Sequence, residues 1–305
     1  MNLPGSISDT GTAAVAGWRA LPRLARRRYV RWGMWAALAT LAFIQPLFAL
    51  VVYASGNALI SHAPLIPLVA AYLLFIKRDT LPAPGGSSLT GALLFGAITI
   101  AAVVARFAWS GALSLNDGLT LTTLAYVSAI AAGGFLFVGA GWMTAAAFPV
   151  IFLLFMVPLP DAVVNALEQA SMYASADVSA WFFRVSGTPM VRDGTIFALP
   201  TIVLEVAEEC SGIRSSWVLF ITSLVASHMF LDRTWARVVL VAFVIPLGII
   251  RNGIRILVIG LLCVHVGPHM IDSFIHHHGG PIFFALSLIP LFALLSWLRR
   301  GNRYA

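Results

Sequence analysis

The chain has 305 residues, of which 60% are hydrophobic and only 10% are charged. Because soluble domains carry about 25% charged residues, this composition excludes an ordinary soluble enzyme and predicts a protein whose helices cross a membrane several times. The net charge of +7 does not indicate a nucleic-acid partner, since the arginines cluster at the ends of apolar runs, where membrane topology explains them.

The apolar runs predict an all-α polytopic membrane protein with about eight transmembrane helices in one domain, residues 34–298. The basic tail before this domain, residues 1–33, predicts a cytoplasmic N-terminus. Polar residues 116–118 are the predicted turn between the third span and the fourth. The first five predicted spans are residues 34–54, 60–76, 89–107, 119–138 and 142–159.

The longest stretch without a predicted span is residues 160–212, which we interpret as an active-site loop on the outer face. In its first half, from Val164 to Phe182, apolar residues recur at helical spacing and predict a helix that lies at the membrane interface. In its second half, Asp193-Gly194 lies between β-prone residues and predicts a small hairpin.

The topology of the C-terminal third depends on residues 238–266, an apolar run that is long for one crossing and contains Pro246. A single kinked crossing leaves most lysines and arginines on the cytoplasmic side, as the positive-inside rule requires. Two crossings would place the basic C-terminal tail, residues 299–305, outside. The sequence therefore predicts one crossing here, between spans at residues 213–231 and 281–298.

Residues 203–216, just before the sixth predicted span, hold three glutamates and one of the two cysteines. Polar groups are costly beside a bilayer and tend to stay there for a chemical reason. We interpret Cys210 as a free thiol and Cys263, inside an apolar run, as a packing residue. In the single-crossing topology Cys210, Arg255 and His276 share the outer surface. A thiol, a guanidinium and an imidazole are the parts of a cysteine transferase or protease.

Three short motifs occur in a specific order and spacing: CSGIR at residues 210–214, NGIRI at residues 252–256, and His276 four residues before Gly280. With these motifs the chain resembles the exosortase/archaeosortase family over roughly residues 35–298. The resemblance implies a multi-pass cysteine transpeptidase of the bacterial inner membrane, with its active site facing outside. Such enzymes cleave C-terminal sorting signals that combine a Pro-Glu-Pro-like motif, a transmembrane helix and a basic end.

The resemblance implies that Cys210 is the nucleophile, Arg255 the stabilising arginine and His276 the catalytic histidine. The neighbouring residues 277–278 are also histidines, so the third assignment is open by one or two positions. Further candidates for contacting the substrate lie next to these residues, namely Glu209, Arg214, Arg251 and Asn252. No cofactor or metal is implied. The expected partners are membrane lipids, proteins that carry a sorting signal, and an acceptor that the sequence does not identify, with an extracellular polysaccharide and a lipid as candidates.

Two alternatives remain at this point. In a polytopic transporter or flippase, Arg251, Arg255 and the acidic residues would line a solute path. A transporter predicts polar residues in several spans, however, and the first five predicted spans contain almost none. In a metal-dependent intramembrane protease the histidines at 276–278 would bind the metal, but the chain has no HExxH or comparable ligand spacing.

Overall fold

The computed structural model describes residues 22–206, 212–272 and 280–303. The chain forms two compact units, Met1–Pro160 and Asp161–Ala305. Helices dominate both units, as expected for an all-α polytopic membrane protein.

The first unit contains seven α-helices within its described part. They are α1 (Arg23–Ala42), α2 (Ile44–Gly56), α3 (Ile66–Lys77), α4 (Leu89–Ala108), α5 (Leu115–Phe137), α6 (Ala140–Ala145) and α7 (Ala147–Phe152). Short 3-10 helices occur at Ala63–Leu65, Arg78–Thr80 and Leu153–Met156.

Two of the predicted spans do not form continuous helices. The first breaks at Phe43, where α1 and α2 meet at a bend of 67°. Pro46 explains this break, because proline has no N–H and its ring collides with the carbonyl of the residue four positions earlier. The fifth breaks at Ala146, between α6 and α7, and Pro149 follows this break at the same distance.

Two other predictions in this unit need correction. The run at residues 60–76 forms the 3-10 helix at Ala63–Leu65 and most of α3. This α-helix has 12 residues and is therefore about 18 Å long, too short to cross about 30 Å of hydrocarbon. The predicted turn at residues 116–118 is wrong, because these residues form the first turn of α5. This helix is capped by Ser114, whose Oγ accepts a hydrogen bond from the backbone N–H of Asp117 at 3.0 Å.

The second unit contains four α-helices and a small sheet within its described part. The helices are α8 (Asp161–Val185), α9 (Ile213–Phe230), α10 (Thr234–His265) and α11 (Gly280–Arg303), with a 3-10 helix at Pro268–Asp272. The strands are β1 (Val191–Asp193), β2 (Ile196–Ala198) and β3 (Val203–Glu205). The helix predicted in the first half of the loop is α8, and the run at residues 238–266 is the single helix α10, with Pro246 inside it.

The predicted hairpin is confirmed as the β1–β2 pair, in which Val191 lies opposite Ala198. Sequence reasoning missed the third strand, which is antiparallel to β2 and places Glu205 opposite Ile196. The sheet packs on α8 and α10 through a buried cluster that includes Phe197. One strand-connecting residue, Thr201, donates its Oγ1 hydrogen to a carbonyl of α10 at 3.0 Å. The sheet is therefore fixed to the C-terminal half of α10.

Five described helices are long and apolar enough to cross a membrane: α4, α5, α9, α10 and residues 280–300 of α11. The count rises to seven if two bent helix pairs, one of them α1 with α2, each make a single crossing. The chain is thus a polytopic helical membrane protein, and the described helices do not reach the predicted count of about eight spans.

Candidate active site

Three predicted site residues, Cys210, Glu209 and His276, lie outside the described residues, as do the neighbouring histidines at 277–278. Their places stay predictions. The described chain resumes at Gly212, two residues after Cys210, and at Gly280, four residues after His276. The described part of the site is therefore the chain that flanks these residues, together with the NGIRI motif on α10.

Gly212 of the CSGIR motif (the cysteine motif) contacts Asn252 of the NGIRI motif (the asparagine motif). It has φ 72° and ψ 4°, a left-handed conformation that residues with a Cβ rarely adopt, and it caps the N-terminus of α9. A methyl group at this position would lie 3.1 Å from both Cγ and Oδ1 of Asn252. Asn252 itself is only 2% exposed. Glycine is therefore required for its backbone angles and for its contact with Asn252, and the two motifs lie directly against each other.

Arg251 adds polar bonds to this contact. Its Nη2 donates to the carbonyl oxygen of Gly212 at 3.0 Å and to Oγ of Ser216 at 3.1 Å. The side chain is only 7% exposed. Its Nη1 is also buried and has no hydrogen-bond partner among the described residues. Burying a guanidinium is costly unless hydrogen bonds compensate, so these two acceptors help to keep the cation inside the helix bundle.

Gly248, one turn before Arg251 on α10, makes room for this arrangement. A methyl group at Gly248 would lie 2.5 Å from Oγ of Ser216, so the absence of a side chain lets α9 approach α10 closely. Sequence reasoning missed both Gly248 and Ser216. A signal was present, because serine and glycine interrupt apolar runs at these positions, and small residues of this kind mark close helix contacts in membranes.

The other predicted site arginines differ in exposure. Arg255 is half-buried and lies one turn after Arg251, so both side chains leave α10 on the same face. Arg214 is exposed in the first turn of α9 and makes no hydrogen bond or ion pair with any residue that the structure describes. The structure thus brings Arg251 and Asn252 together with Gly212, and it leaves Arg214 on the surface.

An apolar groove lies beside this contact, between α8, α9 and α10. Its volume is about 470 Å³, and its walls include Leu167, Ile213, Trp217 and Ile249. Ser216 lines the groove as well, so one serine faces the groove and accepts a bond from Arg251. The groove therefore adjoins the cysteine motif.

Within residues 22–206, 212–272 and 280–303, no group of three or more His, Cys, Asp or Glu side chains could hold a metal ion. The histidines at 276–278, which the metal-dependent alternative requires, lie outside these ranges.

The chain matches a known protein family. The family model described as transmembrane exosortase matches residues 54–293. This range covers the CSGIR and NGIRI motifs and His276. Comparisons with curated proteins and with solved structures gave no match.

Proposed function

Because the chain belongs to the transmembrane exosortase family, we propose that it is a cysteine-dependent transpeptidase that cleaves C-terminal sorting signals in the membrane. Family membership itself indicates a multi-pass membrane enzyme that sorts proteins. We further propose the substrates, the catalytic residues, a thioester intermediate and the side of the membrane on which the site lies. We place the site on the outer face of the bacterial inner membrane, as the distribution of arginines predicts.

The observation that carries the proposal is the contact of Gly212 with Asn252 and Arg251. Gly212 is separated from Cys210 by a single residue, and Arg255 follows Asn252 by three residues on α10. Since the glycine and the asparagine lie against each other, the segments that carry the proposed nucleophile and the proposed arginine meet at one place. This arrangement supports a shared site for Cys210 and Arg255.

In the proposed reaction, the thiolate of Cys210 attacks the carbonyl carbon of the scissile peptide bond. Arg255 stabilises the negative charge that develops on the carbonyl oxygen, and the imidazolium of His276 gives its proton to the leaving amine. The thioester that remains is then attacked by an amine or hydroxyl of the acceptor, or by water. The neutral imidazole of His276 takes the proton of this nucleophile as the thiolate leaves. An amine or hydroxyl thereby receives the protein, whereas water releases it.

The substrates in this proposal are proteins whose C-terminus combines a short Pro-Glu-Pro-like motif, a transmembrane helix and a basic end. The apolar groove beside Ser216 suits the apolar tail of such a substrate, because it lies between three helices and adjoins the cysteine motif. Glu209 and Arg214 are proposed to contact the polar motif. The acceptor is proposed to be an extracellular polysaccharide or a lipid.

Arg251 and Asn252 take a different part in the proposal from the one that the sequence predicts. Both are buried against Gly212, so we assign them to holding the chain beside Cys210 rather than to contacting substrate. The same burial weakens the transporter alternative, which needs Arg251 to line a solute path.

The two cysteines provide a matched test of the nucleophile. Cys210→Ala should abolish processing of a co-expressed substrate with a C-terminal sorting signal, measured as the loss of the mobility shift that removal of its tail causes. Cys263→Ala should process normally, because Cys263 is buried in α10 and its backbone carbonyl, rather than its sulfur, accepts the bond from Thr201. Normal cleavage by the Cys210→Ala protein would overturn the proposal.

The histidine run can be tested in the same assay. His276→Ala should be as inactive as Cys210→Ala, whereas His277→Ala and His278→Ala should retain processing. Loss confined to position 277 or 278 would move the proton donor by one or two residues and leave the cysteine mechanism in place.

A further inference from the structure

One arginine of the first unit, far along the chain from the motifs, has a guanidinium with no partner in the described chain. Arg106 lies in the last turn of α4 and is half-buried. It makes no hydrogen bond or ion pair with any residue in the ranges that the structure describes. A partly buried cation gains free energy from a nearby anion, so its surroundings indicate what kind of anion would fit.

Arg106 lines a groove of about 760 Å³ between the α1–α2 break, the end of α4 and the start of α5. Phe43 and Pro46 also line this groove, so the kink that Pro46 explains contributes to its shape. Gly118 of α5 makes room for the guanidinium, since a methyl group there would lie 3.0 Å from Nε of Arg106. Most of the remaining lining is apolar, with Leu119 as an example.

The position of Arg106 along α4 sets its depth. The helix has 20 residues, about 30 Å, which matches the hydrocarbon thickness of a bilayer. Arg106 is two residues from its end, at the depth of the lipid headgroups if α4 crosses the membrane. Trp109, three residues further on and 61% exposed, fits the same depth, because tryptophan is enriched at membrane interfaces.

We propose that this groove binds one anionic phospholipid. The headgroup phosphate accepts hydrogen bonds from the guanidinium of Arg106, and an acyl chain lies along Phe43, Pro46 and Leu119. Charge selects the ligand: a lone cation at headgroup depth, beside apolar walls, matches a phosphate attached to an acyl chain. This proposal does not depend on the peptidase function.

The experiment compares two arginines that end helices in similar ways. Arg106 ends α4 in the groove, whereas Arg184 lies exposed in the last turn of α8 and is absent from the groove. The full chain is placed in nanodiscs of phosphatidylcholine, with or without phosphatidylglycerol. Thermal unfolding gives the midpoint temperature, and native mass spectrometry counts the bound phosphatidylglycerol molecules.

Phosphatidylglycerol should raise the unfolding midpoint of the wild-type protein. The Arg106→Gln variant should bind phosphatidylglycerol about tenfold more weakly, the loss expected for one charge-assisted hydrogen bond. Arg184→Gln should bind as the wild type does. Equal loss in both variants would overturn the site, because it would reduce Arg106 to a general interfacial charge. An equal effect of inorganic phosphate in phosphatidylcholine would overturn the lipid assignment.

A second variant covers the case in which Arg106→Gln does not fold. Ala49→Leu keeps Arg106 and adds volume to the groove wall that Ala49 lines, and leucine is well tolerated in helices. It should lower the bound phosphatidylglycerol while the response to inorganic phosphate stays as in the wild type. Unchanged lipid binding in this variant would show that the acyl chain does not occupy the groove.

Discussion

Gly139 in the first unit and Gly212 in the second each lie just before a helix. Both have a positive φ, 89° and 72° respectively, but they contact different kinds of group. Gly139 faces backbone, since a methyl group there would collide with the carbonyl oxygen of Gly86. Gly212 faces side chains, namely the amide of Asn252 and the guanidinium of Arg251. One junction is built from backbone alone and the other from buried polar side chains.

We propose that the Gly139 junction is structural and that the Gly212 junction serves the proposed site. Backbone contacts such as those of Gly139 place no charge in the interior and need only a residue without a side chain. A buried guanidinium has a desolvation cost, and a membrane protein usually retains such a group for a chemical reason. The Gly212 junction lies two residues from the proposed nucleophile, so changes there should reduce activity more than stability, whereas changes at Gly139 should do the reverse.

Between the two junctions, the larger effect on activity is expected from Arg251→Gln. It replaces the guanidinium that donates to the Gly212 carbonyl and to Oγ of Ser216 with a shorter, uncharged amide, so Cys210 should lose its alignment with the substrate. We expect kcat for tail removal to fall about 100-fold, the loss that a displacement of about 1 Å can cause, with a smaller change in KM. The rate of Cys210 alkylation, measured in a Cys263→Ala background, should change in parallel.

Ser216→Ala is the control for this variant. It removes one of the two acceptors and leaves the bond from Arg251 to Gly212, so kcat should fall only a few-fold. If Arg251→Gln lowered the unfolding midpoint and left both kcat per folded molecule and Cys210 alkylation unchanged, Arg251 would be structural and the two junctions would be of one kind.

The next effect is expected from Gly139→Ala, and it should appear in stability. The φ of 89° and ψ of 168° at Gly139 belong to a region that is essentially restricted to glycine. An alanine there should lower the free energy of unfolding by about 1–3 kcal/mol through backbone strain alone, with more from the contact with Gly86. Thermal unfolding in detergent measures the loss.

Gly141→Ala is its matched control, two residues further on in α6. Nothing lies within 4 Å of the position that its methyl group would take, and alanine is favoured over glycine in helices by about 1 kcal/mol. This variant should be as stable as the wild type or more so. A loss of processing in Gly139→Ala at unchanged stability would break the comparison, because it would give the backbone junction a functional role.

Proline shows how far the sequence could predict the fold. The kinks at Phe43 and Ala146 each lie three residues before a proline that is visible in the sequence, at 46 and 149. However, α10 and α11 also contain prolines, Pro246 and Pro290, and run through them as single helices. Proline removes one hydrogen bond in each case, and packing against neighbouring helices decides whether the helix continues. Hydropathy predicted where apolar helices occur, and it could not predict which ones break.

The candidate site was predictable to a different degree. The local pattern around Asp193 was sufficient for the β1–β2 hairpin, because turn residues and β-prone neighbours are close in sequence. The order of the motifs indicated that the cysteine and asparagine segments belong together. It could not indicate that Arg251 reaches the Gly212 carbonyl, because that contact joins residues on two helices, and its geometry depends on how closely α9 and α10 approach.

The smallest effect is expected at an ion pair near the sheet of the second unit, in which a half-buried arginine pairs with an exposed carboxylate. Nη2 of Arg192 lies 2.7 Å from Oδ1 of Asp177, but the Asp177 side chain is 71% exposed. Solvent and salt screen such pairs, which contribute at most about 1 kcal/mol. Asp177→Asn should therefore lower the unfolding midpoint slightly at low salt, and the difference from the wild type should vanish at high salt.

Arg192→Ala should cost more than Asp177→Asn at every salt concentration. Arg192 also donates its Nε hydrogen to the carbonyl oxygen of Gly194 at 2.7 Å and lies over the ring of Phe197, and salt does not remove these contacts. Both variants should retain processing, because neither residue touches the Gly212 junction in the structure. If Asp177→Asn abolished processing at high salt without loss of stability, an exposed pair would matter as much as the buried guanidinium, and burial would not distinguish functional from structural arginines in this protein.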